Sequence, residues 1–309
     1  MTPVDSQGPC GGIPTRAFFV TVGLSRDRPP IEHRMFSLAF ALVATILLVR
    51  ALPRLHGTTL QLPWAWTLLA FWALAVADMV SENLASSFLL SASTLCPGMA
   101  LMGARRPHHR SWQLIVASLW LVIVLPALHA LALPAEMQFT IHLIRQVFLV
   151  ILVAIIVLSF LPTRFSLAAL GLLGGFVVLF GPLLPWSGVP QAAFTLPLSS
   201  GLFLASLVLA SLLPRPDHSR REPADRLWLD FRDAFGTLWS LRLAEQVNRA
   251  SRLKGWGYRL GWYGFQNDQH EEPGSRTTEA LYQYIRNIVR RFTSQQWIDQ
   301  RLGKGDPSA

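Results

Sequence analysis

Residues 143–186 read LIRQVFLVILVAIIVLSFLPTRFSLAALGLLGGFVVLFGPLLPW, two apolar runs joined by a turn whose only charge is Arg164. A bilayer core about 30 Å thick is crossed by roughly 20 apolar residues in a helix, the conformation that satisfies its own backbone in lipid. Both runs have that length, and neither alternates as a half-buried strand would. They read as antiparallel membrane spans over 141–161 and 166–186, the second interrupted by Pro182 and Pro185.

Outward from this pair, the same reading finds spans at about 36–52, 62–80, 84–104, 112–133 and 194–213, which makes seven. The chain has 309 residues, of which 51% are hydrophobic and only 15% charged, and its mean hydropathy is +0.37. Lipid is the solvent such a composition requires. The fold class expected is an all-α membrane protein, a seven-helix transmembrane bundle followed by a small α-rich C-terminal domain. Cys10 and Cys96 are too few for a disulfide framework.

Charge assigns the sides. Arg50 and Arg54 lie between spans one and two, Arg105, Arg106 and Arg110 between three and four, and Arg164 between five and six, while the turns after spans two, four and six hold no Lys or Arg. Because basic residues near span ends accumulate in the cytoplasm, the C-terminus is expected inside and the N-terminus outside. Arg105, Arg106 and Arg110 are expected to rest on anionic headgroups at the membrane surface. Residues 1–34 oppose the rule with Arg16, Arg26, Arg28 and Arg34. They read as an extracytoplasmic tail without regular structure, or as a mis-assigned start preceding Met35, since Ala17–Leu24 is too short for a signal-peptide core.

Small residues four apart promote close helix approach in lipid, so Ser87 with Ser91, Gly171 with Gly175, and Gly201 with Ala205 are expected packing faces. Pro97 with Gly98, Pro126, and Pro182 with Pro185 interrupt spans three, four and six. Broken helices of this kind can line a transport path. No Lys, Asp or Glu occupies the middle of any span, which weighs against ion-coupled transport.

Polar groups gather at the outer boundary. Asp78 and Glu82 end span two, His129 lies near the end of span four, Glu136 follows in the turn, and His142, Arg145 and Gln146 open span five. Asp78, Glu82, His129 and His142 are candidate metal ligands, and His129, Glu136 and His142 candidate catalytic groups. Arg145 with Asp78 is a candidate structural ion pair. No metal-site spacing accompanies them, and residues at a water interface are polar whether or not they act.

In the tail, Arg215–Arg226 reads as a linker, so that the domain is set at 227–309 after a linker at 214–226, although Pro223 suits a first helical turn. An aromatic stripe, Trp228, Phe231, Phe235 and Trp239, continues through Leu243 and Val247, with Gly236 as a possible break and Glu245 with Arg249 as an i,i+4 pair. Tyr258, Leu260 and Trp262 alternate among glycines as a strand or hairpin arm. A second helix is expected over 278–302, ending at Gly303. These elements could pack as a compact domain, lie along the membrane, or offer a partner groove.

From Arg215 onward, 16 basic residues face 12 acidic ones, a balance that argues against a nucleic-acid surface, and no nucleic-acid partner is expected. Phosphate loops, kinase motifs and nucleophile elbows are missing, no cofactor is expected, and the sequence favours a non-enzyme. The reading preferred is a membrane-anchored scaffold or sensor whose partners are the bilayer with its anionic headgroups and a cytoplasmic protein. A transporter or channel subunit and an outer-boundary enzyme or metal site are the alternatives.

Overall fold

A computed structural model of the chain describes residues 31–80, 84–105, 109–132, 143–184, 187–189, 194–213, 222–267 and 275–302. Helices α1 (Ile31–Leu55) and α2 (Gln61–Val80) form the first hairpin. The third span is discontinuous, with α3 (Leu84–Ser91), a 3-10 turn (Ala92–Leu95) and α4 (Cys96–Met102) in line. Then come α5 (His109–Ala132), α6 (Leu143–Phe160), α7 (Ser166–Phe180) with a terminal 3-10 turn (Gly181–Leu183), and α8 (Thr195–Leu212). Among the described residues, seven helical stretches are long and apolar enough to cross a membrane. The expected N-terminal tail lies outside the described residues up to position 30.

Proline acts differently in each interrupted span. Pro97 follows a 3-10 turn and Pro182 sits inside one, whereas α5 continues through Pro126. The tightened turn in span three is buried, and its hydroxyls bond the last carbonyls of α3: Ser93 Oγ donates to Leu90 O at 2.6 Å and Thr94 Oγ1 to Ser91 O at 2.7 Å. At the end of α7, Ser187 Oγ donates to Gly181 O and Gln146 Nε2 to Leu183 O. Backbone groups released by the breaks are thus bonded within the protein.

The core of the bundle combines alanines such as Ala44, Ala85 and Ala92 with large side chains such as Leu74, Phe88, Leu95 and Met99, while Leu42, Ile46, Leu114, Val122, Ile144 and Leu158 are exposed. Apolar exposure this extensive needs a lipid cover. α7 and α8 form the most extensive helix pair; α8 also packs on α1 and α2, and α2 on α3 and α4. At the first of these contacts a Cβ on Gly171 would meet Ser206 Oγ at 2.5 Å, and one on Gly175 would collide with the Phe203 ring. Gly98 is pressed equally hard against Ile156. Of the Gly201 and Ala205 face only the first residue meets a helix: a Cβ on Gly201 would touch Phe40 of α1 at ordinary contact distance, whereas Ala205 is exposed.

Past the seventh span, α9 (Pro223–Lys254) leads to a two-stranded antiparallel hairpin, β1 (Tyr258–Gly261) and β2 (Gly264–Asn267), then α10 (Ser275–Val289) and α11 (Gln295–Leu302). α9 starts inside the expected linker, as Pro223 indicated, and is broken at Gly236. The single helix expected over 278–302 is two, because Thr59 N–H donates to Phe292 O at 3.0 Å, Ser294 N–H donates to Gly57 O, and Thr58 bridges Thr293. After turns at 290–292, the chain between α10 and α11 pairs with the turn between α1 and α2. Ser294 Oγ then accepts from Trp297 N–H and caps α11.

Overpacking the α7–α8 contact tests this architecture. Gly175→Leu is expected to destabilise the bundle by about 1–3 kcal/mol, read as a lowered Tm in detergent, whereas Ala205→Leu leaves the Tm within error.

Candidate functional site

Among the described residues, Asp78, His129 and Arg145 are not joined as one group. Asp78 is buried and accepts from Ser37 Oγ of α1 at 2.9 Å. His129 is exposed, Arg145 half-buried, and Gln146 is buried against the end of α7. Among the described residues no ion pair joins Arg145 to Asp78, and no three His, Cys, Asp or Glu side chains gather as a metal site. Glu82, Glu136 and His142 lie outside the described residues, as does Arg106 of the basic turn. Arg110 falls in the first turn of α5, and Arg105 is half-buried with its Nε shielded from water and unbonded.

The opposite end of the bundle is more organised. Phe231 and Phe235 of α9 stack at 4.7 Å between centroids, and Phe292 inserts edge-on against both and against Trp239. Leu281, Ile285, Trp297 and Ile298 complete this core from α10 and α11. Leu60 and Ala104, from turns between spans, belong to the same buried cluster, and Leu55 and Leu101 pack on it. The aromatic stripe is therefore a core, as its spacing indicated, but a core completed by the bundle.

Hydrogen bonds follow the same seam. Trp239 Nε1 donates to Leu101 O at 3.0 Å, Thr237 Oγ1 to Ser159 O at 3.0 Å, Trp262 Nε1 to Pro162 O at 3.2 Å, and Thr59 Oγ1 to Ala104 O at 2.7 Å. Gly236 permits the approach on α6. Its φ of 73° and ψ of −178° suit glycine alone, and a Cβ there would meet Ser159 O at 2.7 Å.

The hairpin is fastened to α9 by side chains acting on backbone. Asn248 bonds both N–H and C=O of Leu260, Ser251 Oγ donates to Tyr258 O, and Asp225 accepts from Phe265 N–H at 2.7 Å. Burial, with the carboxylates of Glu222 and Asp225 nearby, pushes the Tyr282 phenol above its ordinary pKa. It stays protonated at neutral pH.

A buried ion cluster crosses the seam. Asp233 Oδ1 accepts from Arg232 at 2.9 Å, and Asp233 Oδ2 faces Arg164 Nε at 3.3 Å. The second contact is not aligned as a hydrogen bond and holds by charge. Arg232 also donates to Trp262 O at 2.9 Å. Arg164, which the sequence marks only as a side determinant, is thus a ligand of the tail, and the acid three residues after Asp230 gave no sign of it.

Beside this cluster lies a half-open cleft of about 1220 Å³, bounded by the last turns of α1 and α8, the α6–α7 turn, the start of α9, and α11. Its carboxylates are Asp230 and Asp233, and its guanidinium groups are Arg54, Arg164, Arg226 and Arg301. Arg301 Nε donates to Asp230 at 2.6 Å and lies over the Trp297 ring at 3.7 Å. Comparison with protein families, with curated proteins and with solved structures finds no match to this chain.

Removing a carboxylate from a buried ion cluster leaves its cations uncompensated. Asp233→Ala is expected to destabilise the tail by about 3–5 kcal/mol, read as faster proteolysis between 223 and 302 in detergent-solubilised protein. Arg164→Ala, removing a partner that is 30% exposed, is expected to give a much smaller effect in the same assay.

Proposed function

We propose that this chain is a multi-pass membrane scaffold or sensor, with its N-terminus outside the cell and residues 223–302 forming a small α-rich domain in the cytoplasm. The shared core carries this reading: Leu60 and Ala104 are buried in one cluster with Phe231, Phe235, Phe292 and Trp297. A module tethered only by a linker would close its own core and move independently. Here a displacement of the turn between α1 and α2 must be transmitted to the segment joining α10 and α11, which pairs with it directly. Arginines of three turns sit at the tail-bearing end, which supports the cytoplasmic side by the positive-inside rule.

A face of α9 is open for a partner. Leu241, Glu245, Arg249 and Leu253 follow one another at nearly helical spacing and are exposed, Leu241 by 58% and Leu253 by 82%. Glu245 and Arg249 pair at 3.0 Å on that face. The transporter alternative draws on the interrupted spans three, four and six; carbonyls at the breaks in spans three and six are already bonded by hydroxyl or amide groups, which leaves them less free to coordinate a solute.

Two measurements test the proposal. A reporter fused after Leu213 is expected to read cytoplasmic, and an external reading overturns the topology. A photo-crosslinking residue at Leu253 in intact cells is expected to trap one protein in a discrete adduct that Leu241→Arg weakens severalfold. Solute flux through liposomes holding the purified chain, without any adduct, would favour the transporter instead.

A further inference from the structure

We propose that the cleft between the ends of α1 and α8 and the start of α9 binds a phosphate group, presented by the headgroup of an anionic phospholipid. The first support is charge. Asp230 is taken by Arg301, and Asp233 by Arg164 and Arg232, so neither cleft carboxylate is left to neutralise Arg54 or Arg226. Among the described residues, neither of those arginines has an acidic partner. Arg226 Nε is shielded from water without a hydrogen-bond acceptor, a condition that costs free energy until an acceptor arrives.

The second support is shape. Two guanidinium groups suit the oxygens of a phosphate, which each can engage through two parallel N–H donors. The cleft's volume of about 1220 Å³ exceeds what inorganic phosphate would fill and admits a substituted headgroup. Its lining also includes apolar side chains, Ala51 and Leu55 of α1 and Ala210 and Leu213 at the end of α8. Leu212, next to Leu213, is 72% exposed. An acyl chain along these residues accompanies a phosphate held by the arginines, a contact that a soluble phosphate compound does not make.

This inference needs the bundle to sit in a membrane but does not depend on the scaffold reading. It is tested on the full chain in detergent by native mass spectrometry and thermal melting, with dioleoyl phosphatidylglycerol, dioleoyl phosphatidylcholine and inorganic phosphate as probes. Phosphatidylglycerol is expected to bind at one molecule per chain with at least tenfold preference over phosphatidylcholine and to raise the Tm. Arg54→Gln with Arg226→Gln should abolish that preference, while Arg252→Gln, on an exposed position at the far end of α9, keeps it. Equal binding of the two lipids by the wild-type chain overturns the proposal, whatever the variants do. Full retention of the preference by the double variant overturns the assignment to these arginines. Stabilisation by inorganic phosphate equal to that by phosphatidylglycerol overturns the lipid source.

Discussion

The ends of membrane helices leave carbonyls without intrahelical partners, and the tail-bearing end of this bundle satisfies them with side chains from elsewhere in the chain. Leu101 O at the end of α4 receives Trp239, Ser159 O at the end of α6 receives Thr237, and Pro162 O in the next turn receives Trp262. Of these donors Trp239 pairs a polar tip with an apolar body that also fills space in the aromatic cluster. One side chain that bonds a span end therefore also builds the core of α9, α10 and α11. Loss of the tail would expose a hydrophobic surface and withdraw all three donors, leaving Leu101 O with its bond from Ala104 N–H.

That dependence explains which parts of the fold are legible in sequence. Span positions follow from run length alone, and the seven expected segments match the observed helices to within a few residues. Helix α9 and its break at Gly236, the hairpin after Gly257, and the Glu245 and Arg249 pair are all local, and local patterns specify them. What escapes is the join. Nothing local distinguishes Leu60 and Ala104 from other apolar residues at span ends, and nothing around Phe292 announces that Thr293 and Ser294 will pair with residues 57 and 58. A helical period through 278–302 is outweighed there by backbone pairing to a partner more than two hundred positions away.

Polar residues of the bundle carry a related lesson. Sequence fixes the depth of Asp78, His129 and Arg145 in a membrane because depth is a count along the helix. It does not fix direction around the axis, because helices apolar on every side carry no amphipathic stripe to orient them. Asp78 faces inward to Ser37, whereas His129 at similar depth faces outward. Ala205 fails as a packing residue for the same reason, while Gly171 and Gly175 succeed because α8 presents Ser206 and Phe203 at the matching height.

Rigidity at the seam constrains which movements could pass between the bundle and the tail. A stimulus shifts a conformational equilibrium only by its differential affinity for two arrangements, so some element must possess two. The Phe231, Phe235 and Phe292 cluster is close-packed and joined to the turn between α1 and α2 by backbone hydrogen bonds, which makes that half of the seam a poor place for change. The half formed by Thr237, Gly236 and Ser159 is different, because α9 is already interrupted there and a single side-chain hydrogen bond accompanies the glycine contact. Movement of α6 relative to the tail would rotate the chain at Gly236 and pull on Asp233, three residues earlier and held by charge across the same seam to Arg164. The ion cluster then acts as the restoring element: separating Arg164 from Asp233 costs Coulomb energy that screening by water reduces only in part, since Asp233 is buried.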